Sequence, residues 1–521
     1  MNKININIVN HENYEITNGE TALDISKAIY GDEYKEYLIC SINNEVLPLN
    51  TVLKDGDIVE FHDIKSVWGY RTYQKTASAI FCMALDRLFP EVEANLNHYL
   101  GAGLYIDFNN GFKLNNDEIE KIANEMKSII DADVEIKLEN LPRDEAIRVF
   151  EDRGKVDKLR LYKSADIESV DFVKIGNYID AFYSPLTPST GFMDKFRLKL
   201  YYPGLLLITP SHRNNYDISK YKEMRKLSKV FSDMTNWGKI MDLNHLGSMN
   251  EKIINGEYID VIRISESLQE RKIAQIADSI VNDKDVRMIL ISGPTSSGKT
   301  TFSKRLMIQL KLLGVHPKAI SMDDYFVDRD KTPLDENGEY DFESPYAIDI
   351  ELFNRDINEL LNGCPINHRK FDFIEGKGEI TGEIISVDMD SPIIVEGIHG
   401  LNPILTKDIP EKNKFKIYVS ALTQLNLDAH NRISTTDTRF IRRAVRDYNF
   451  RGNDIEKTFK LWQNVKYSED KYIFPFQENA DMMFDSSMVY EMGILKKHIL
   501  KLLDEIGKDS EYYSEACKLK Y

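Results

Sequence analysis

The stretch MILISGPTSSGKTTFSKRLMIQLKLLG, residues 288–314, decides the fold of the C-terminal part of the chain. It opens with an apolar run at 288–291, which predicts a buried strand. Residues 293–300 then match the pattern G-x-x-x-x-G-K-[ST] in full. Apolar side chains between 300 and 313 fall on one helical face, and Gly314 supplies a helix stop. Strand, glycine-rich turn and helix in this order predict a phosphate-binding loop at a helix N-terminus.

The residue types of this loop suit a magnesium–nucleotide complex. Its glycines let successive backbone N–H groups converge on phosphate oxygens. Lys299 can reach the β- and γ-phosphates, and the Thr300 hydroxyl can ligate Mg²⁺. We expect ATP and Mg²⁺ as cofactors, and the loop leaves GTP open as the alternative nucleotide. The predicted nucleotide-binding residues are Gly293, Pro294, Thr295, Ser296, Ser297, Gly298, Lys299, Thr300 and Thr301.

Further short apolar runs follow at 319–322, 393–395 and 415–419. They alternate with segments of helical character. Strands alternating with helices predict a doubly wound, mostly parallel sheet with helices on both faces.

Two carboxylates follow two of these strands. Asp323 lies in SMDDYF (321–326), and Glu396 ends the run in PIIVEG (392–397). At that edge of the sheet Asp323 can accept the proton of a hydroxyl that attacks a γ-phosphate. Glu396 has the place of a Mg²⁺ ligand, direct or through water. An Asp-Asp pair after a strand is also typical of a turn or helix cap.

An arginine-rich segment comes next along the chain. Such a cluster is often only a solvated helix face. Because it follows a phosphate-binding loop and two carboxylates, we expect a cationic lid that stabilises charge on a triphosphate. The segment contains Arg439, Arg442, Arg443, Arg446 and Arg451.

Six motifs, in this order, resemble the uridine kinase and phosphoribulokinase family. They are GPTSSGKTTF (293–302), SMDDYF (321–326), YDFESPYAID (340–349), FDF (371–373), IIVEGIHGLN (393–402) and RFIRRAVRDYNFRG (439–452). The resemblance covers about two hundred residues within 285–490. It implies a P-loop NTPase-type fold and an enzyme that phosphorylates an alcohol.

The resemblance also implies roles for individual residues. Asp323 is implied as the general base, Glu396 and Thr300 as the Mg²⁺-side ligands, and the arginines as the lid. The implied catalytic residues are Asp323, Lys299, Arg442 and Arg446. The implied substrate-binding residues are Tyr325, Phe342, Glu343, Phe371, Asp372, Arg439 and Arg451.

The chain departs from the uridine kinase pattern at two positions. That pattern usually has a tyrosine where this chain has Phe371, and a histidine where it has Gly376. In the family both residues contact the nucleoside base. Their loss removes a hydrogen-bond donor and an imidazole, so phosphoryl transfer is better supported than uridine as the acceptor.

Residues 1–62 predict a small unit of their own. Isoleucine alternates with Lys or Asn over 3–8, which indicates a strand, and Thr21 with Asp24 indicates a capped helix over 21–30. Hairpin and turn signals follow at 38–47 and 55–61. This order suggests a ubiquitin-like β-grasp fold, and the segment resembles a TGS domain.

Residues 63 to about 210 resemble the second additional, editing domain of threonyl-tRNA synthetases. The resemblance is carried by ASAIFCMALDRLFPEV (77–92), GAGLYIDF (101–108), EAIRVFEDRG (145–154) and YIDAFYSPLTP (178–188). It implies an α+β fold for this unit.

The editing family hydrolyses mischarged tRNA at a site built from H-x-x-x-H and C-x-x-x-H. The flanking residues align the first pair with Lys75 and Ala79, and the second pair with Phe182 and Leu186. None of these four can bind Zn²⁺ or activate water as imidazole and thiolate do. We predict a catalytically silent packing and docking scaffold; residual RNA or nucleotide sensing is the alternative.

Composition indicates a multi-domain protein with several cores, 42% hydrophobic over 521 residues. Four cysteines, none in C-x-x-C, favour a reducing compartment. The polar first twenty residues predict no secretory signal, and no apolar run is long enough for a membrane span. We expect a cytoplasmic protein with units at 1–62, 63–240, 285–521 and a helical connector at 241–284.

Two functions remain. The first is an ATP-dependent kinase for the hydroxyl of a small molecule, with the 5′-hydroxyl of uridine or cytidine favoured and a sugar or pantothenate-like acceptor as the near variant. The second is an RNA- or tRNA-linked regulator that uses ATP binding as a switch. The formal charge of −17 weighs against RNA binding through the front half. An oligomer is compatible with either function.

Overall fold

The computed structural model describes residues 3–11, 13–335, 338–389, 391–423 and 425–520. Across these ranges, none of the helices combines the length and the apolar character that a bilayer crossing needs.

The N-terminal unit is a mixed five-stranded sheet with one helix. Its strands run in the order β2-β1-β5-β3-β4, with β1 and β5 parallel. The predicted capping box is confirmed, since the Asp24 N–H donates to Thr21 Oγ1 at 3.2 Å and the Thr21 N–H donates to the Asp24 carboxylate at 3.0 Å. The elements are β1 (Lys3–Ile8), β2 (Tyr14–Thr17), α1 (Ala22–Tyr30), β3 (Tyr37–Ile42), β4 (Glu45–Leu47) and β5 (Ile58–Asp63).

The second unit wraps two antiparallel sheets around a long helix. The sheets have the orders β11-β12-β7-β6 and β10-β9-β8. The elements are α2 (Val67–Leu88), β6 (Ala94–Leu100), β7 (Gly103–Phe108), α3 (Asn116–Asp131), β8 (Ile136–Pro142), α4 (Arg143–Asp152), α5 (Val156–Ser164), β9 (Ser169–Ile175), β10 (Tyr178–Asp180), β11 (Arg197–Tyr201) and β12 (Gly204–Ile208).

Helix α2 begins at Val67. Ser66 caps it by accepting a hydrogen bond from the Gly69 N–H at 3.0 Å. The first turns bury polar side chains such as Thr72 and Gln74, so the sequence shows no apolar stripe there. Apolar residues of α2 and of strand β3 belong to one continuous core that joins the first two units.

Three helices connect the second unit to the third. They are α6 (Arg225–Met241), α7 (Leu246–Ile254) and α8 (Tyr258–Asn282). On α8, Ile273, Ile276 and Ile280 form an apolar stripe that packs into the core of the C-terminal sheet. Helix α8 therefore connects the second and third units and also packs against the C-terminal sheet.

The third unit is an α/β sandwich on a five-stranded parallel sheet, as predicted. Its strand order is β14-β17-β13-β18-β19, and a separate hairpin pairs β15 with β16. The elements are β13 (Met288–Ser292), α9 (Lys299–Leu312), β14 (Lys318–Ser321), α10 (Ile350–Leu361), β15 (Ile366–Asp372), β16 (Lys377–Ile385), β17 (Ile393–Glu396), β18 (Lys414–Ser420), α11 (Thr435–Arg451), α12 (Ile455–Tyr472), β19 (Met482–Asp485), α13 (Glu491–Leu503) and α14 (Tyr513–Lys520).

Alternate residues of the central strand β13 face the two helical layers. Met288 and Leu290 pack with α10, whereas Ile289 and Ile291 pack with α8 and α9. All four are fully buried, because a central parallel strand is covered on both faces. The parallel register brings the carboxyl ends of β13, β14 and β17 to one edge, where the site lies.

Candidate active site

The phosphate-binding loop sits between β13 and α9, as predicted. Gly298 has φ of 83° at the N-cap of α9, a conformation that glycine adopts without strain. A Cβ at Gly293 would come within 1.9 Å of the Val419 carbonyl oxygen on the neighbouring strand. Both glycines are therefore required by the local backbone.

Lys299 and Thr300 begin helix α9 and face the cleft. Lys299 Nζ donates to the carbonyl oxygens of Gly293 at 2.9 Å and Pro294 at 3.1 Å. Burial lowers the pKa of Lys299, while the carboxylates of Glu396 and Asp323 act in the opposite direction. A cation in this position is ready to exchange backbone acceptors for phosphate oxygens.

Thr300 and Glu396 form the pair that suits a magnesium ion. Thr300 Oγ1 donates to Glu396 Oε1 at 2.7 Å, across the β13–β17 register. No group of three or more His, Cys, Asp or Glu side chains suited to a metal occurs among the described residues. A nucleotide-bound Mg²⁺ needs only one or two protein oxygens beside phosphates and water, so this pair fits the ion.

Asp323 lies on a short helical turn directly after β14. Its surface opens into the cleft, although dense protein around the cleft makes desolvation the main influence on its carboxylate. This desolvation, together with the nearby Glu396 and Asp324, raises the pKa of Asp323, and Lys299 opposes the shift. A carboxylate with a raised pKa is a stronger base for a hydroxyl proton.

Glu343 is a second carboxylate with a raised pKa at this cleft. Burial raises the pKa of Glu343 to about 7, against the influence of Arg443 and with a smaller contribution from Glu469. Phe342 beside it is exposed. Glu343 is partly exposed and Phe342 is exposed, so a ligand can reach both.

Two predicted substrate residues have structural contacts. The buried Tyr325 donates its hydroxyl to Asp356 Oδ2 at 3.2 Å, and Asp372 Oδ1 accepts from the N–H groups of Ile374 at 2.7 Å and Glu375 at 3.1 Å. Tyr325 thus packs in the core and Asp372 caps a turn, and their substrate contacts stay a prediction.

Phe371 joins an aromatic cluster at the cleft wall. Its ring centroid lies 5.6 Å from that of Phe326 and 5.1 Å from that of Phe373. Gly376, where the family pattern has histidine, has φ of 72°, and a Cβ there would come within 2.8 Å of the Arg329 guanidinium. Phe371 and Gly376, the two departures from the uridine kinase pattern, therefore both take part in the packing of the β15–β16 hairpin.

Helix α11 carries the arginines, and the burial of Arg439 and Arg443 excludes a merely solvated face. Arg439 is 1% exposed and pairs with Glu469. Arg439 Nε also donates to the Thr295 carbonyl at 3.1 Å, while Glu469 Oε1 accepts from the Thr295 N–H at 3.0 Å. This buried pair holds the phosphate-binding loop from behind, and the substrate contact of Arg439 stays a prediction.

Arg442 is also held by a carboxylate and by backbone carbonyl groups. It pairs with Glu491, donates to the Ser486 carbonyl at 2.9 Å, and approaches the Ser296 carbonyl at 3.4 Å. Arg442 therefore contacts the loop backbone, and its catalytic role stays a prediction.

The last three arginines share one buried carboxylate. Asp447 is fully buried, and it pairs with Arg446 at 2.7 Å, Arg443 at 3.3 Å and Arg451 at 3.7 Å. Burial, then the nearby Arg446, lowers the pKa of Arg451. Three cations around one anion leave a surplus of positive charge next to the loop.

Sequence reasoning missed the residues that support this site. Asp447, Glu469 and Glu491 hold the arginines. Asp447 lies inside the quoted motif at 439–452, whereas no quoted motif contains Glu469 or Glu491. His399, in the quoted motif EGIHG, is 1% exposed. Burial lowers the pKa of His399 to about 4. Because the imidazole of His399 lies in the same motif as Glu396, the sequence alone could have marked His399 as a residue of this site.

Comparisons with known proteins agree with this architecture. Residues 288–492 match the Phosphoribulokinase / Uridine kinase family, and residues 10–63 match the TGS domain. The chain therefore combines a region similar to that family with a region similar to the TGS domain.

The N-terminal region matches threonine–tRNA ligases. The chain is 31% identical over 196 residues to the protein of Clostridium tetani and 28% identical over 196 residues to that of Carboxydothermus hydrogenoformans. Each match covers 37% of this chain and 31% of the relative, so the chain spans about a third of the length of these curated relatives.

A solved structure described as a possible uridine kinase from Bacillus stearothermophilus is also similar. It is 20% identical, with a TM-score of 0.29, and the match covers 41% of this chain and 98% of that one.

Proposed function

We propose that the protein is an ATP-dependent kinase that transfers the γ-phosphoryl group to the hydroxyl of a small molecule. The observation that carries this proposal is the meeting of Lys299, the Thr300–Glu396 pair and Asp323 at one edge of the parallel sheet. These are the parts that phosphoryl transfer needs: a phosphate cradle, a metal position and a base.

Each side chain has a definite task in this reaction. Asp323 accepts the acceptor's hydroxyl proton as the new oxygen–phosphorus bond forms and the bond between the γ-phosphorus and ADP breaks. Lys299 stabilises the negative charge on the phosphate oxygens. Mg²⁺, held by Thr300 and Glu396, would neutralise charge on the β- and γ-phosphates.

We propose a pyrimidine nucleoside, uridine or cytidine, as the acceptor class. Phe373 packs against the buried Phe326 and Phe371 and is itself 59% exposed, so its ring offers a face against which a planar base can stack. Glu343 beside Phe342 can accept hydrogen bonds from sugar hydroxyls. A sugar or pantothenate-like acceptor is the near variant, because it would use the same base and phosphate cradle.

The test is an ADP-release screen over nucleosides, sugars and pantothenate, with ATP and GTP compared. Asp323→Asn should lose turnover by about two orders of magnitude or more while nucleotide binding, measured by calorimetry, survives. Asp330→Asn is the matched control, because Asp330 is an exposed carboxylate on the following segment. Equal turnover in Asp323→Asn and wild type would refute the base assignment.

An RNA-linked regulator is the second candidate, motivated by the TGS domain and the ligase-like region. In that case ATP binding acts as a switch, and a salt-dependent tRNA complex forms without acceptor-stimulated ADP release. The charge of −17 weighs against it.

The division into units at 1–62, 63–240, 241–284 and 285–521 is likewise our proposal, as is a cytoplasmic location.

A further inference from the structure

A loop of the third unit is buried inside the second unit. The loop comprises residues 425–432 and directly precedes helix α11. Its residues Asp428, Ala429, His430 and Asn431 are each 3% exposed or less. Loops normally lie at the surface, so complete burial of four loop residues needs an explanation.

Ionic contacts hold the centre of this loop. Lys158 of α5 donates to Asp180 Oδ1 at 2.5 Å and lies 3.7 Å from Asp428 Oδ1. His430 Nδ1 lies 2.7 Å from Asp180 Oδ2. These side chains are almost completely buried, so each depends on its partners.

The charges around His430 favour its protonated form. Burial by itself would lower the pKa of His430, but Cys82 and Asp180 outweigh this influence and raise it to about 10, with Lys158 opposing them. The titratable groups that face the loop from the surrounding elements are Lys75, Cys82, Asp157, Lys158 and Asp180.

Backbone groups complete the enclosure from several elements. The Leu96 N–H of β6 donates to the Ala429 carbonyl at 2.7 Å, and the Ala429 N–H donates to Asp157 Oδ2 at 2.6 Å. Asn431 Oδ1 accepts from the Tyr183 N–H at 3.0 Å. The loop is therefore bound like a ligand, through both its main chain and its side chains.

Two of the four positions that align with the editing family's metal ligands contact this loop. Lys75 Nζ donates to the His430 carbonyl at 3.2 Å and to Asn431 Oδ1 at 3.0 Å. The Phe182 ring stacks on the His430 ring, with centroids 5.7 Å apart and planes 9° apart. The place where a metal site would stand is filled by the chain itself.

A short path leads from this contact to the phosphate-binding loop. Ser434 caps α11 by accepting from the Thr436 N–H at 3.2 Å. On the first turns of α11, Thr438 Oγ1 lies 2.7 Å from Thr423 Oγ1, and Arg439 bonds to the Thr295 carbonyl. A shift of the buried loop would therefore also move the start of α11.

We propose that loop 425–432 is the resident occupant of the second unit's polar pocket, and that this contact positions α11 against the phosphate-binding loop. The effect on turnover rests on the proposed kinase function, whereas the effect on α11 does not. Asp180 and Lys158 are positioning residues in this scheme. Because the loop fills the pocket around Lys75 and Phe182, the end of an RNA chain is excluded from it.

The test uses the full chain and three variants. Asp180→Asn removes the central anion, and Lys75→Met is a milder change that removes two donors to the loop while keeping most of the side-chain volume. Thr190→Val is the control, because Thr190 is buried in the same unit and bonds to the Ile129 carbonyl at 2.7 Å, away from the loop. Hydrogen exchange of peptides covering 293–300 and 435–451 is the primary measurement.

We expect exchange in 435–451 to accelerate about tenfold or more in Asp180→Asn, severalfold in Lys75→Met and not at all in Thr190→Val. In an acceptor-dependent ADP-release assay, kcat should fall about tenfold or more in Asp180→Asn with KM for the acceptor nearly unchanged. Unchanged exchange in both loop variants, or equal acceleration in Thr190→Val, would overturn the proposal.

The outcomes separate the two proposals. If Asp180→Asn fails to fold, Lys75→Met decides through its exchange and its kcat. If wild-type protein releases no ADP with any acceptor, the kinase proposal fails, while the exchange result still supports or overturns the positioning of α11.

Discussion

Substitution of Glu469 by Gln tests the buried support of the phosphate-binding loop. The Arg439 and Glu469 side chains are each 2% exposed, and the carboxylate also accepts from the Thr295 N–H at 3.0 Å. Removing one member of a buried pair leaves an uncompensated charge and costs about 3–5 kcal/mol. We expect a destabilisation of about that size in Glu469→Gln.

The double variant Arg439→Met with Glu469→Leu separates charge from geometry. Replacing both members of a buried pair by apolar side chains is often neutral or stabilising by about 1–4 kcal/mol. The double variant should therefore recover most of the stability lost in the single one. Nucleotide affinity should be lower than in the wild type in both the single and the double variant, because the Thr295 N–H has lost its carboxylate acceptor in each.

Trp462 provides the assay, since the Arg439 guanidinium lies 5.3 Å from its ring centroid. Urea unfolding is followed by tryptophan fluorescence, and calorimetry gives the ADP affinity of each variant. Two results would refute the buried-pair reasoning. One is an equal free energy of unfolding in the single and the double variant, and the other is a destabilisation of the single variant by less than about 1 kcal/mol.

Four further outcomes follow from the site. Turnover should fall as pH drops through the raised pKa of Asp323, because the base must be deprotonated; Asp323→Asn should remove this limb of the pH–rate profile. Thr300→Val should raise the Mg²⁺ concentration for half-maximal rate about tenfold or more, with the free protein's melting temperature unchanged. Metal analysis should find no stoichiometric zinc, and its presence would contradict the silent second unit. The pKa of His430 is raised from 6.5 to about 10, so its stabilisation is full below about pH 6.5 and is lost as pH rises through about 10; the difference in melting temperature between wild type and His430→Gln should vanish there.

The sequence predicts the parts of this fold that repeat a local rule. The strand at 288–291, the loop after it and the helix that follows are specified by neighbouring residues, and each lies where expected. The same is true of the capped helix that begins after Thr21. Local patterns suffice there because one turn or one face of an element determines the outcome.

The supports of the site could not be predicted in this way. Glu469 lies on α12 and Glu491 on α13, far along the chain from the arginines they hold. Loop 425–432 has no repeat, motif or composition that marks its burial. Contacts of this kind depend on how distant elements pack, and a single sequence carries no periodicity for them. Tyr325 and Asp372 lie in quoted motifs, and the structure gives each a structural contact that the motifs do not predict.

The charges on α11 decide which arginines can meet a triphosphate. Arg439 and Arg442 each have a carboxylate partner of their own, so their charge is neutralised within the protein. Arg443, Arg446 and Arg451 share the single carboxylate of Asp447, which leaves two positive charges in excess. Of these three, Arg451 is the most exposed, and its charge acts on Asp323. A triphosphate arriving in the cleft would supply the missing negative charge, which is why this end of the helix, and not its buried start, is the part that can act as a lid.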